Sequence, residues 1–400
     1  MIPLHRPDFG IGTVTISLLN CGERGSVEQL ERDYAAAAGV KFAIWLPSAR
    51  AGIGWALRAA VNPQTTVAGP AFTCAVVHEA MRYSGGGVQL IDIPPQHFLL
   101  SQESLSPHQT KNHALVLCEV FGHVYDLAKI TKASQTQPVV RIVDMAMAMP
   151  HAGLFQRLES NDFGVISFGA GKSMYAGWGA MGFTTNAELA KEVVLLRNAS
   201  IGRGNFRLLL SRMANVSARL VGSHPAIYAL AKKIRDAKHK PIPADLNGSA
   251  KVESASEIPP KPASAEWHQP STHLDRGLAK WNLRNAHKAA QARIALAKCY
   301  SNYLRELKGV TYPKSENEVL SHFTIRLDAR IRNRVKQHLQ QNGINTVTFW
   351  TFPDQLKAAD YPETHKLGTE ILNLPLSPWM SESHVESVCG TLQQALKLYV

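Results

Sequence analysis

The chain lacks several things whose absence narrows its class. No stretch of 18 consecutive apolar residues occurs, so no segment reads as a membrane-spanning helix. The opening Met-Ile-Pro-Leu-His-Arg-Pro-Asp has no apolar core region, so no secretory signal is expected there. The five cysteines (Cys21, Cys74, Cys118, Cys299 and Cys389) are widely spaced, odd in number and never form C-x-x-C. That pattern excludes a disulfide framework and a zinc site, leaves no expected metal, and suggests reduced thiols in a cytoplasmic protein. Acidic residues are short: 31 Asp and Glu stand against 43 Lys and Arg, a formal charge of +12. The excess is local. Residues 197–245 hold ten Lys/Arg and two Asp, so +8 sits in 49 residues and the remainder is nearly neutral. A generally basic nucleic-acid binder is therefore not expected, and one basic segment needs an explanation.

What is present is an ordinary globular mixture, 45% apolar and 18% charged over 400 residues, enough for two or three domains. Residues 1–25 read as irregular. From 26 to 200 short apolar runs alternate with helical patterns: helices at 26–38 and 51–60, and strands at 41–46, 66–68, 88–93, 113–120, 139–143, 165–168 and 182–185. Such alternation implies an α/β fold with a mostly parallel, doubly wound sheet, whose ligands sit at the carboxyl ends of the strands. Residues 201–275 stand apart as a basic helical stretch, 203–240, followed by a Pro/Ser-rich linker. Residues 276–400 read as a long helix to 307 and then a small α+β domain with strands at 321–327, 346–350 and 371–374. No internal repeat is visible.

Two strand ends carry residues that can do chemistry. Asp144 closes the run V-V-R-I-V-D, and Lys172 follows Ser167-Phe168 in a loop of small residues. A strand-end acid and a loop lysine 28 residues later are what a pyridoxal phosphate (PLP) site needs: an amine to bond the aldehyde and a carboxylate to keep the pyridine nitrogen protonated. The plainer alternatives are a solvated loop lysine and an aspartate that caps a helix or pairs with a base. Gly171-Lys172-Ser173 also copies the end of a phosphate-binding G-x-x-x-x-G-K-[ST] loop, but the first glycine's position holds Ile166, within an apolar run. Ser48, Ala49 and Arg50 lead into a helix whose free N–H groups would favour an anion, and Ser167 adds a hydroxyl. Taken alone, each reads first as a cap or a turn residue.

With these residues placed, the chain resembles the DegT/StrS-type family of PLP-dependent nucleotide-sugar aminotransferases over nearly its whole length. Leu46-Pro47-Ser48-Ala49-Arg50-Ala51 resembles the family's S-G-[TR]-A turn, and Pro70-Ala71-Phe72-Thr73-Cys74 its P-S-F-T-[FW] segment. Asp144-Met145-Ala146 resembles D-A-A, Ser167-Phe168 with Lys172 resembles S-F-x-x-x-K, and Trp281-Asn282-Leu283-Arg284 resembles Y-N-x-R. The resemblance implies an aspartate-aminotransferase fold and a homodimer with shared active sites. It implies Lys172 as the Schiff-base lysine and Asp144 as partner of the pyridine nitrogen. Ser167 with Ser48, Ala49 and Arg50 would hold the phosphate, and Asn282 would reach the site of the second chain. Cys74 stands where the family has its ring-stacking aromatic, and Met147 where it has a glutamine facing the ring hydroxyl. Trp178 and Ala180 interrupt its G-E-G-G, and the 84 residues from Asn198 to Asn282 exceed the usual spacing.

The expected activity is transfer of an amino group from an amino acid, glutamate by preference, to a keto-sugar carried on a nucleotide, for polysaccharide or related glycan biosynthesis. Lys172 favours transamination over the related dehydratases, which carry histidine there. A cofactor-free or PLP-binding scaffold with a regulatory role is the alternative. A third reading sets residues 203–240 on an anionic membrane surface through Leu208, Leu209, Met213 and Val216, against the plainer reading of a packed helix with solvated lysines.

Overall fold

Seven strands form one sheet: β1 (Phe42–Leu46), β2 (Thr66–Pro70), β3 (Gly87–Ile91), β4 (His113–Cys118), β5 (Arg141–Asp144), β6 (Asp162–Ser167) and β7 (Ala180–Thr184), in the order β1-β7-β6-β5-β4-β2-β3. The computed structural model describes residues 1–19, 26–108, 112–133, 136–150, 153–224, 227, 265–313, 318–350 and 356–399. Neighbours from β3 to β6 pair in parallel, while β7 runs antiparallel to both β6 and β1. Every strand except β7 therefore ends on the same edge of the sheet. β4 and β6 are buried at every position, because helices cover both faces.

The helices of this part are α1 (Ile11–Leu19), α2 (Val27–Ala38), α3 (Ala49–Ala60), α4 (Ala75–Tyr83), α5 (Gln102–Leu105), α6 (Leu127–Ala133), α7 (Ala187–Ser200) and α8 (Phe206–Gly222). Helix α3 buries eight of its twelve residues and is the central element of one helical layer. Helix α1 corrects the expectation of an irregular 1–25. Its apolar sequence has no cap and no charge to mark it as a helix, and it is held by packing on the long helix α9 (His273–Leu304). The basic stretch expected to be helical over 203–240 is helix α8 as far as Gly222; most of the remainder, and most of the Pro/Ser-rich linker, lie outside the described residues.

Helix α9 joins two cores. Leu278 and Ala290 pack with the large sheet, and Leu296, Tyr300 and Leu304 with the small domain. That domain has β8 (Phe323–Arg326) antiparallel to β9 (Ile371–Leu374), with α10 (Ala329–Gln341), α11 (Pro362–Glu370) and α12 (Glu382–Tyr399) around them. The strand expected at 346–350 is not formed. Val347 makes a single bridge to Asn373, and the chain then leaves the sheet because Trp350 packs on the large domain. Its ring stacks on Phe121 at 5.5 Å and meets Phe72 edge-on at 5.2 Å. No helix among the described residues is long and apolar enough to cross a membrane.

His78 of α4 is buried, and its Nε2–H donates to the Pro70 carbonyl at the end of β2, 3.0 Å away. Burial lowers its pKa from 6.5 to about 4. A depressed folded-state pKa gives stability that is present above pH 6.5 and is lost as the pH falls towards 4, on the order of 3 kcal/mol for this one group. His78→Gln keeps a donor for Pro70 without the titration. Urea unfolding at pH 7 and pH 4.5 should show a smaller loss in the variant, and equal losses would remove His78 from the acid limb.

Candidate active site

The common edge of the parallel strands gathers the chemistry. In register, Asp144 at the end of β5 lies beside Cys118 of β4 and Val165 of β6, with Ser167 ending β6 two residues on. Asp144 Oδ1 accepts a hydrogen bond from the Ala146 amide at 2.9 Å. Among the described residues no lysine or arginine forms an ion pair with it. Burial raises its pKa, against the pull of Lys172 and the Ala146 N–H. An acid desolvated in this way, supported among the described residues by one amide, is a costly feature unless a cation joins it.

Lys172 stands in the turn after β6. Its amide donates to the Gly169 carbonyl at 3.3 Å, and Gly171 takes a φ of +76°, a conformation that favours glycine. The Gly169 amide donates to Ser167 Oγ at 3.2 Å. Ser173 Oγ donates to the Met147 carbonyl at 3.1 Å, so the loop after Asp144 is tied to the loop carrying the lysine. The Met147 side chain itself is buried in the core.

Ser48 caps α3, accepting from the Ala51 amide at 3.1 Å, and the positive end of that helix begins at Ala49. Arg50 is ion-paired to Glu79 at 3.2 Å. Cys74 precedes α4 without a side-chain capping bond, and Phe72 is turned into the aromatic cluster around Phe121 and Trp350.

Lys172 opens into a cavity of about 300 Å³ bounded by residues 3–8, Tyr175, Arg219 of α8, Asn282 and Arg293 of α9, and Asn345 and Ser377 of the small domain. Asn282 is brought here within its own chain, its amide donating to the carbonyls of Met174 at 3.0 Å and Tyr175 at 2.8 Å. Asp144 lies close enough to sense the Lys172 charge. Ser48, Ala49, Arg50, Cys74, Met147 and Ser167 do not line this cavity.

Several of its polar groups had no signal in the sequence. His5 Nε2 meets His322 Nε2 at 2.9 Å, and His322 Nδ1 meets Ser321 Oγ at 2.9 Å. Burial, with Arg293, Lys172 and Arg219 nearby, lowers His5 to about 4, and burial takes His322 well below its usual value. Both rings are neutral at pH 7, so one donates to the other. Arg293 is fully enclosed and gives Nη1 to the carbonyls of Leu320, Ser321 and Leu376. Asp8 is raised to about 6, chiefly by burial, and its Oδ1 has no hydrogen-bond partner. His322 and Arg293 lie far along the chain from Lys172, and no local motif marks them.

A family model described as the DegT/DnrJ/EryC1/StrS aminotransferase family matches residues 18–243 and 276–393. The interruption, 244–275, falls inside the segment that the sequence sets apart. The erythromycin biosynthesis sensory transduction protein EryC1 of Saccharopolyspora erythraea is 23% identical over 309 residues, 74% of this chain and 68% of its own. Among solved structures, the sugar aminotransferase CalS13 of Micromonospora echinospora superposes with a TM-score of 0.71 at 16% identity, covering 98% of this chain and 100% of its own. NtdA of Bacillus subtilis, with bound pyridoxamine phosphate, superposes with a TM-score of 0.69 at 17% identity, covering 97% and 82%. At such identities these likenesses establish the fold: that of the PLP-dependent sugar aminotransferases.

Proposed function

This chain belongs to the DegT/DnrJ/EryC1/StrS aminotransferase family, and from that premise we propose that it moves an amino group from glutamate to a keto-sugar carried on a nucleotide, with PLP as cofactor. The observation that carries the reading is Asp144: a desolvated strand-end carboxylate that, among the described residues, has no ion-pair partner and lies within reach of the Lys172 charge. Asp144 would accept a charge-assisted hydrogen bond from a protonated pyridine nitrogen, which would give it a cationic partner. The bound form of NtdA and the name of CalS13 support the cofactor and the sugar class.

When bound, PLP supplies the electron sink. The protein supplies the rest. Lys172 would hold the cofactor's aldehyde, and its free amine would move the proton as general acid and base. Asp144 keeps the ring nitrogen protonated. Ser48, Ala49 and Arg50 at the start of α3, with Ser167, form the phosphate end, where helix polarity favours an anion. Cys74, before α4, and the main chain of Met147, tied to Ser173, would bound the ring's end of the site, and Asn282 fixes the Met174–Tyr175 turn beside Lys172. His5, backed by His322, lines the cavity without adding charge. A homodimer with shared sites, a cytoplasmic location and a place in polysaccharide or related glycan synthesis belong to the same proposal.

Purified protein loaded with PLP should, on addition of glutamate, lose the visible absorbance of the bound aldehyde and release 2-oxoglutarate in one turnover. A loaded protein that produces no keto acid from glutamate or any other amino acid would sink the transamination reading. Failure to take up the cofactor at all would favour the scaffold alternative.

A further inference from the structure

Helix α8 bears on substrate choice. We propose that Arg219, set at the Lys172 cavity by a latch between Arg212 and Trp178, binds together with Arg6 the diphosphate of the nucleotide-linked substrate. This rests on the nucleotide-sugar reading above and adds the residues that select for it.

The latch comes from the residue that breaks the family's glycine-rich stretch. Trp178 stands in the loop before β7, and the Arg212 guanidinium lies over its ring at 3.8 Å. Arg212 also donates to Gln269 at 2.6 Å and lies 3.9 Å from Asp275 at the start of α9. Its side chain is buried, so the stacking is largely desolvated and correspondingly strong. One turn on, Val216 is fully buried against Gly177, where an added Cβ would lie 3.1 Å from Val216 Cγ2. Arg212, Val216 and Arg219 follow the i, i+4, i+7 spacing of one helix face. A face clamped at its first two positions must present the third to the cavity, where the Arg219 guanidinium sits 5.7 Å over the Tyr175 ring.

The charges around the cavity choose the ligand. Arg6, Lys172, Arg219 and Arg293 line it against one acid, Asp8. Lys172 is committed to the cofactor and Arg293 to three carbonyls. Arg6 and Arg219 are held by aromatic rings, Trp379 and Tyr175, and among the described residues neither has an ion-pair partner. Helix α8 turns its C-terminal end to the cavity through Gly222 and Ser223, but that end carries only about half a negative charge, and the full charge of Arg219 outweighs it. Two planar guanidinium groups prearranged on aromatic rings suit the paired phosphates of a nucleoside diphosphate.

The test is titration of the PLP-loaded protein with uridine diphosphate and thymidine diphosphate by calorimetry. Arg219→Ala should raise Kd about tenfold to a hundredfold, the range for one lost charged hydrogen-bonding group. Arg207→Ala, an exposed arginine on the same helix, should leave Kd unchanged. Trp178→Leu should weaken binding as Arg219→Ala does, while Trp178→Phe, which keeps a ring under Arg212, should restore most of it. Unchanged binding in Arg219→Ala overturns the proposal, as does equal weakening by Arg207→Ala. A higher KM for glutamate in Arg219→Ala with an unchanged Kd for the diphosphates would assign the guanidinium to the amino donor and also overturn it. If the wild-type protein binds neither diphosphate yet aminates a free keto-sugar, the nucleotide-linked reading itself falls.

Discussion

Lys172→Ala abolishes both the visible absorbance of the loaded protein and its transamination, with activity down by at least about 10⁴-fold, the upper range for a single general acid–base group. The size of the effect follows from two roles lost together. The lysine is the covalent anchor of the cofactor and the proton carrier of both half-reactions. The fold does not depend on its amine. The turn is held by the main-chain bond to Gly169, by Gly171 and by the Ser173–Met147 bond, none of which alanine removes. Lys172→Arg separates charge from bonding: a guanidinium keeps the positive field on Asp144 but cannot bond an aldehyde, so it too is inactive. Either variant retaining the absorbance and turnover would place the chemistry elsewhere.

The second large effect belongs to Asp144. Asparagine can still accept the Ala146 amide bond but carries no charge to hold a protonated ring nitrogen. A fall in kcat of about 10² to 10³ is expected, the scale for losing one charged stabilising group in a site closed to water. Stability moves the other way. Burial raises the Asp144 pKa, so this group's stabilising contribution is present below the unfolded value and is lost as pH rises through the folded one. At pH 7 the cofactor-free Asp144→Asn protein should therefore melt no lower than wild type. A stable, cofactor-binding but slow variant fits the assigned role. One that unfolds would make Asp144 a structural acid, and one that turns over at the wild-type rate would leave the ring nitrogen without this partner.

Legibility in the sequence followed the range of the interactions. The expected strands of the large sheet all exist, with ends shifted by a few residues, because an apolar run between turn residues is a local property. β9 occupies the expected residues 371–374. Asp144 and Ser167 stand out for the same reason: a polar residue ending an apolar run is visible without neighbours. Helix α1 carries no sequence signal because it has no cap and is held by α9 rather than by its own composition. The strand at 346–350 was expected from its β-rich residues, but Phe121 and Phe72 on another domain offered Trp350 more contact than a third strand of the small sheet. Leu209, Met213 and Val216 lie on the packed side of α8, in line with the plainer of the two readings of that segment.

The sequence by itself determined the α/β class, the succession of strands and helices, and the pairing of a strand-end acid with a loop lysine. These depend on periodicity and on residues few positions apart. Only the tertiary structure decided what surrounds the lysine: His5 against His322, the enclosed Arg293, the buried Asp8 and the Arg219 face of α8. Their roles arise when segments distant in the chain converge at one cavity, where shared burial and charge set protonation and leave some cations uncommitted. No residue carries that information in its own neighbourhood, because burial is a property of the packed chain.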